Sequence, residues 1–150
     1  MRLLVSACLL GVCCRYDGKS KGNEAVLRLA EKHELIPVCP EQLGGLPTPR
    51  PPAEIQRDRV INRLGQDVTA QYQKGAEEAL RLCQLFHCKL AVLKARSPSC
   101  GCGLVYDGCF SGTLVPGDGF AARLLRENGI QYTAEKPERF CLCGFQLPDS

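Results

Sequence analysis

Eleven cysteines in a chain of 150 residues are the feature that demands a chemical explanation. Three of them, Cys8, Cys39 and Cys100, come just after short apolar runs at residues 3–7, 35–38 and 90–93. Soft thiolates favour iron–sulfur clusters or Cu(I). A structural zinc site wants four ligands, and the Cys-x-x-Cys knuckles that usually supply them are missing. His33 and His87 fall on predicted helices and read as surface residues, so they add no ligand. A cubane cluster on three protein thiolates keeps one iron open. That iron is a Lewis acid with affinity for sulfur, suited to chemistry instead of electron transfer, by the same logic that makes a three-ligand zinc catalytic.

Polar groups accompany the three thiols. Glu41 is two residues beyond Cys39, while Ser97 and Ser99 lie just before Cys100. A carboxylate beside an open iron can act as general base toward water, and a serine can orient that water or bond a substrate carbonyl. The competing role for Glu41 is that of an acid in a helix first turn opened by Pro40. Arg50, held among Pro47, Pro49, Pro51 and Pro52, sits on a stiff loop that could present it to a planar carbonyl or carboxylate; a plain surface turn is the alternative. Asp107-Gly108 is a turn signal first, and Asp107 joins Arg50 as a candidate substrate contact. Cys14 shares a loop with Cys8 and is a possible fourth ligand or a nearby redox-active thiol. Cys13 reads as incidental, and Cys83 and Cys88 as small core hydrophobes. Cys102 and Cys109 flank the third loop, where they could approach a cluster or serve structural roles, and Cys141 and Cys143 sit in a tail where they could pinch a surface metal or do nothing.

The elements that must position these groups follow from periodicity. Residues 3–7, 35–38, 90–93 and 130–133 predict strands, and residues 24–33, 67–86 and 120–128 predict helices, the last capped by Gly129. The proline-rich segment 46–52 can be neither helix nor central strand. This alternation predicts an α/β chain: one domain over residues 1–150, with a Rossmann-like, mostly parallel sheet, helices on both faces and an irregular tail from 135. Ligands of such sheets bind beyond the carboxyl ends of the strands. Neighbouring strands lie about 4.8 Å apart, so thiols at three adjacent strand ends can surround one compact object.

Composition narrows the function classes. A chain this long buries roughly 68–70% of its unfolded surface and needs no crosslinks to fold. The cysteine count is odd, which complete disulfide pairing cannot satisfy, and only Leu3 and Leu4 precede the lipoprotein-like Val5-Ser6-Ala7-Cys8, too few for a signal sequence. A cytoplasmic location is therefore expected, with no membrane span. The net charge of +3 is mild and its Lys and Arg are scattered. That distribution suits a small anionic or neutral ligand and not tight nucleic-acid binding.

The motifs together carry a resemblance. Val5-Ser6-Ala7-Cys8-Leu9-Leu10-Gly11, Cys14-Arg15-Tyr16-Asp17-Gly18, Val38-Cys39-Pro40-Glu41, the run from Gly44 to Ile55, Ser97-Pro98-Ser99-Cys100-Gly101, Tyr106-Asp107-Gly108 and Phe110-Ser111-Gly112-Thr113 occur in one order. Over residues 1–133 the chain resembles the bacterial family of small iron–sulfur desulfidases typified by thiouracil desulfidase. The resemblance implies a 4Fe-4S cluster on Cys8, Cys39 and Cys100, with one iron not bound by protein. It implies non-redox removal of sulfur from 2-thiouracil or a related thiolated pyrimidine, giving uracil and hydrogen sulfide, the open iron taking the thiocarbonyl sulfur. Glu41 matches the family's proton-transferring acid and Ser97 its active-site serine. Cys13, Cys102 and Cys109 depart from the usual pattern. The competing class is a non-catalytic zinc-binding or thiol redox-sensing module.

Overall fold

The first apolar run forms a strand covered on both faces, as a parallel strand sandwiched between helices must be. The structure, a computed structural model, describes residues 1–135. Its strands are β1 (Arg2–Ser6), β2 (Glu34–Val38), β3 (Ala53–Gln56), β4 (Arg59–Asn62), β5 (Leu90–Leu93), β6 (Leu104–Tyr106), β7 (Leu114–Pro116) and β8 (Gln131–Ala134). Its helices are α1 (Glu24–Leu27), α2 (Pro40–Leu43), α3 (Thr69–Leu85) and α4 (Phe120–Glu127).

Four strands build the central sheet in the order β2-β1-β5-β8, every neighbouring pair parallel. Strand periodicity sends alternate residues to opposite faces. Leu3, Val5, Leu90 and Val92 pack with Leu9, Cys14 and Val26 on one face. Leu4, Ala91 and Leu93 pack with Cys83, Cys88, Ala122 and Leu125 of the α3–α4 layer on the other. The mostly parallel α/β reading with helices on both faces is borne out. The chain runs from β1 outward to β2, then crosses back over β1 to β5. Strand order thus reverses between β1 and β5, the place where open α/β sheets take their ligands.

The helix expected over residues 24–33 is shorter. Asn23 caps α1 by accepting from the Val26 amide, and residues 28–31 tighten into a 3-10 turn. Val26 and Leu29, three residues apart and so on one side of this helical stretch, pack against the same core. His33 consequently lies beyond the helix, and His87 sits in the turn after α3. Two antiparallel hairpins, β3–β4 and β6–β7, were not expected. Their strands are only three or four residues long and none is buried throughout, so neither gives a clean apolar run. Glu135 is anchored, its carboxylate accepting from Lys94 Nζ at 3.0 Å and the Ala95 amide at 2.6 Å. Cys141 and Cys143 lie outside the described residues. Among the described residues, no helix is long and apolar enough to cross a membrane.

One contact fixes the turn that carries Cys39 and Glu41. α2 lies on α3 with backbone against backbone: a Cβ at Gly44 would come within 1.9 Å of the Gln71 carbonyl oxygen, and one at Gly75 within 1.9 Å of the Pro40 carbonyl oxygen. Only glycine permits this approach. Gly75→Ala should therefore cost about 3 kcal/mol, the upper end of overpacking penalties, because backbone cannot swing aside as a side chain can. Gly44→Ala should cost a similar amount, and the double variant less than the sum, since the helices separate only once. Urea denaturation of the three variants checks both statements.

Candidate active site

The sequence from Ser6 to Leu10 leaves β1 and tightens into a 3-10 turn, which buries Cys8 at the end of the strand. Cys39 follows the last residue of β2 and begins α2, where Pro40 occupies the first turn and its fixed φ suits that position. Cys100 is farther from its strand, and α4 brings it back. The amides of Phe120, Ala121 and Ala122 at the start of α4 donate to the carbonyls of Pro98 and Ser99. The helix thereby spends its free amino-terminal donors on the loop that holds Cys100.

These three cysteines, with Cys14, line one cavity of about 570 Å³ at the carboxyl edge of the sheet. Cys14 is a neighbour of both Cys8 and Cys39, and the Cys39 thiol reaches the Cys14 carbonyl at 3.7 Å. The neighbouring Cys39 pulls the Cys14 pKa down, Cys8 and burial push it up by more, and it settles at about 11. Cys39 is raised by Cys14 and by burial. Burial pushes Cys100 up to about 12 against the opposing pull of the Ser6 and Ser99 hydroxyls. Several thiols, most of them buried, are thus crowded along one cavity wall, where each opposes the ionisation of its neighbours. A cationic body among them would remove that cost, because metal binding takes the thiolate form. Among the described residues, no group of three or more His, Cys, Asp and Glu is placed to hold a metal ion. The fit rests on the donors' chemistry: soft thiols lining one cavity suit a sulfur-rich polynuclear group.

Glu41 stands in the same cavity, and every hydrogen bond it makes has a direction. Its Oε1 accepts from Tyr72 Oη at 2.6 Å and from Arg50 Nε at 3.1 Å. Its Oε2 accepts from the Ser99 hydroxyl at 3.0 Å, with Ser97 Oγ at 3.5 Å. Ser97 Oγ takes the amides of Ser99 and Cys100 at 3.1 Å each and lies 2.9 Å from Ser99 Oγ. Ser97 accepts two amides, so its own proton faces Ser99 or Glu41, and the three groups form a chain ending on Oε2. Burial and then Glu41 push the Tyr72 phenol far above its ordinary range, so it remains a donor.

The expected site residues divide accordingly. Cys8, Cys39, Cys100, Cys14, Glu41, Ser97 and Ser99 come together. Arg50 also lines the cavity, yet its side chain is only 4% exposed and the carboxylate it meets is Glu41's own. Its Nη2 donates to the Cys14 carbonyl at 2.8 Å, so it ties the Cys14 loop to the Cys39–Glu41 turn in place of a surface turn. Asp107 does not line the cavity. Its two carboxylate oxygens accept from the Cys109 amide and the Ser111 hydroxyl, closing the β6–β7 loop. Cys13 and Cys109 are exposed, Cys83 and Cys88 are buried in the core, and Cys102 contacts the Cys100 carbonyl. Tyr72 was missed. Its spacing with Ala76, Ala79 and Cys83 marks it as inward-facing on α3, but nothing local signals that its hydroxyl reaches Glu41.

The pattern of the 2-thiouracil desulfurase family matches residues 3–137. The uncharacterized Bacillus subtilis (strain 168) protein YbbK is 37% identical over 143 residues, covering 89% of this chain and 95% of its own. A solved structure of the 4Fe-4S-dependent thiouracil desulfidase TudS shares 46% identity with a TM-score of 0.87, over 95% of this chain and 96% of that one. The thiols, the carboxylate and the serines just described therefore sit on a frame shared nearly end to end with that desulfidase, and the chain belongs to the 2-thiouracil desulfurase family.

Proposed function

We propose that the protein is a 4Fe-4S-dependent desulfidase that exchanges the sulfur of 2-thiouracil or a related thiolated pyrimidine for oxygen. The overall change is C=S plus water to C=O plus hydrogen sulfide, which balances without an electron donor or acceptor. The observation that carries this reading is the meeting of Cys8, Cys39 and Cys100 on one cavity whose wall also holds the Glu41 carboxylate. Those three thiolates would hold the cluster, and Cys14 is an adjacent thiol outside the ligand set. When bound there, such a cluster supplies a Lewis-acidic iron with affinity for sulfur. Zinc binding or thiol sensing is not favoured by either comparison. The reading places the enzyme in the cytoplasm, where reducing conditions keep thiols available to iron, and gives it a free thiobase instead of a nucleic acid.

The chain's own residues then have separate tasks. Arg50 and Tyr72 occupy Oε1 of Glu41 and prevent the carboxylate from rotating, which leaves Oε2 to receive a proton from water. Ser99 and Ser97 lie along Oε2 and can orient that water or hand the proton onward. Lys94 and Arg15 at the cavity wall are paired with Glu135 and Asp17, while Lys21, Arg63 and Arg96 add positive charge to the wall that favours an electron-rich ligand and a leaving hydrosulfide.

Iron and acid-labile sulfide measured after anaerobic purification test the ligand set. Cys8→Ala, Cys39→Ala and Cys100→Ala should each lose the cluster, while Cys14→Ala should keep it; full iron in all three strand-end variants would remove the assignment. Glu41→Gln should retain the cluster while sulfide release from 2-thiouracil falls on the order of 10²–10⁴-fold, as for loss of a general base. Unchanged release would take Glu41 out of the reaction. The clamp on Oε1 should also show in stability. Tyr72→Phe should cost about 1.5–3 kcal/mol, as for one hydrogen bond to a charged group. Arg50→Ala should cost more, about 3–5 kcal/mol, because it strands a half-buried carboxylate without its cation.

A further inference from the structure

The two hairpins contribute a part of the cavity wall that the proposed proton chemistry leaves unused. Glu54 of β3, Arg63 just after β4, and Tyr106 and Phe110 around the β6–β7 loop all line it. The loop from Asp107 to Thr113 is heavily fixed. The buried Glu54 accepts from the amides of Gly108 at 3.0 Å and Phe110 at 3.2 Å through one oxygen, and the Gln56 amide donates to the Gly108 carbonyl at 2.9 Å. Phe110 itself has φ +52°, in the left-handed region that bulky side chains rarely adopt. Backbone strain of this kind persists only where the surroundings over-determine it. The Arg63 guanidinium stands 5.6 Å from the centre of the Phe110 ring and braces one of its faces. Phe110 belongs to none of the three core clusters among the described residues. A carboxylate, a cation and a strained backbone are therefore committed to presenting one aromatic ring at the cavity wall instead of burying it.

We infer that Phe110 is the specificity-determining platform of this cavity, stacking the free face of its ring on the planar heterocycle that carries the thiocarbonyl. The inference rests on the desulfidase reading and adds to it the residue that selects ring substrates. Glu54 is its positioning residue, acting through the loop backbone. An aromatic face stacks on any flat base without reading its edges, so the platform distinguishes ring thioamides from acyclic ones.

Kinetics and binding on the anaerobically purified, cluster-bearing protein decide the matter. Phe110→Leu and Phe110→Met keep apolar bulk but lose the π face. Both should raise KM for 2-thiouracil about tenfold or more, with the loss on KM and not kcat. Phe110→Tyr should recover most of the loss. Calorimetric binding of uracil, which needs no turnover, should weaken by the same factor in the Leu and Met variants. Equal uracil affinity and equal KM in wild type and variants would overturn the platform. A wild-type protein that releases no sulfide yet binds uracil in a Phe110-dependent way would defeat the desulfidase reading and leave the platform standing. One that binds neither uracil nor 2-thiouracil would overturn the platform as well.

Discussion

Parallel strands in one sheet end at the same rim, and the rest of this molecule is organised by that constraint. β2, β1 and β5 are immediate neighbours, and Ser6 is level with Val38 just as Val5 is level with Val92. Side chains that follow the three strands are consequently delivered to one edge, however far apart they lie along the chain. The reversal of strand order between β1 and β5 opens a crevice at that edge, because the helices leaving it go to opposite faces. Cys8, Cys39 and Cys100 meet there as a consequence of topology.

Convergence alone would be electrostatically unfavourable. Thiols gathered along one cavity wall oppose one another's ionisation, and a carboxylate placed beside them adds to the difficulty. Arg50 relieves part of this. It is a buried cation whose charge burial opposes and Glu41 sustains, and its other nitrogens reach the Cys14 and Pro47 carbonyls and the Thr48 hydroxyl. A guanidinium fits the task better than an ammonium because its fixed fork can serve several acceptors at once. The proline-rich segment that carries it is thus a strut between loops and not an exposed hand toward substrate. The close packing of Gly44 on α3 and Gly75 on α2 secures the opposite side of the same turn.

The two central strands, β1 and β5, were legible because their cores are short apolar runs, the pattern that burial on both faces imposes; the edge strands β2 and β8 carry that pattern less completely because they are partly exposed. Cys8 and Cys39 were legible because they stand directly beyond such runs, Cys100 because it lies on the loop that follows the third run, and Glu41, Ser97 and Ser99 because they neighbour the thiols. What was hidden depends on contacts between distant segments. Tyr72 reaches Glu41 from a helix that begins far downstream, and Glu54 holds a loop more than fifty residues away. The hairpins escaped because three- and four-residue strands with mixed exposure carry no period long enough to detect. Arg50 and Asp107 were both singled out by their loops. Turn chemistry alone did not reveal that one folds inward against a carboxylate and the other closes its own loop.

The central claim is spatial: sulfur atoms from three strand ends grip one polynuclear iron group in the crevice beyond β1 and β5. Diffraction from anaerobically grown crystals of the iron-loaded protein, recorded at the iron absorption edge, tests it most directly. The account predicts a single compact group of iron scatterers in the cavity, bonded by the thiolates of residues 8, 39 and 100 and by no other protein atom. Iron located at Cys83 and Cys88, or a lone ion in place of a group, would contradict it.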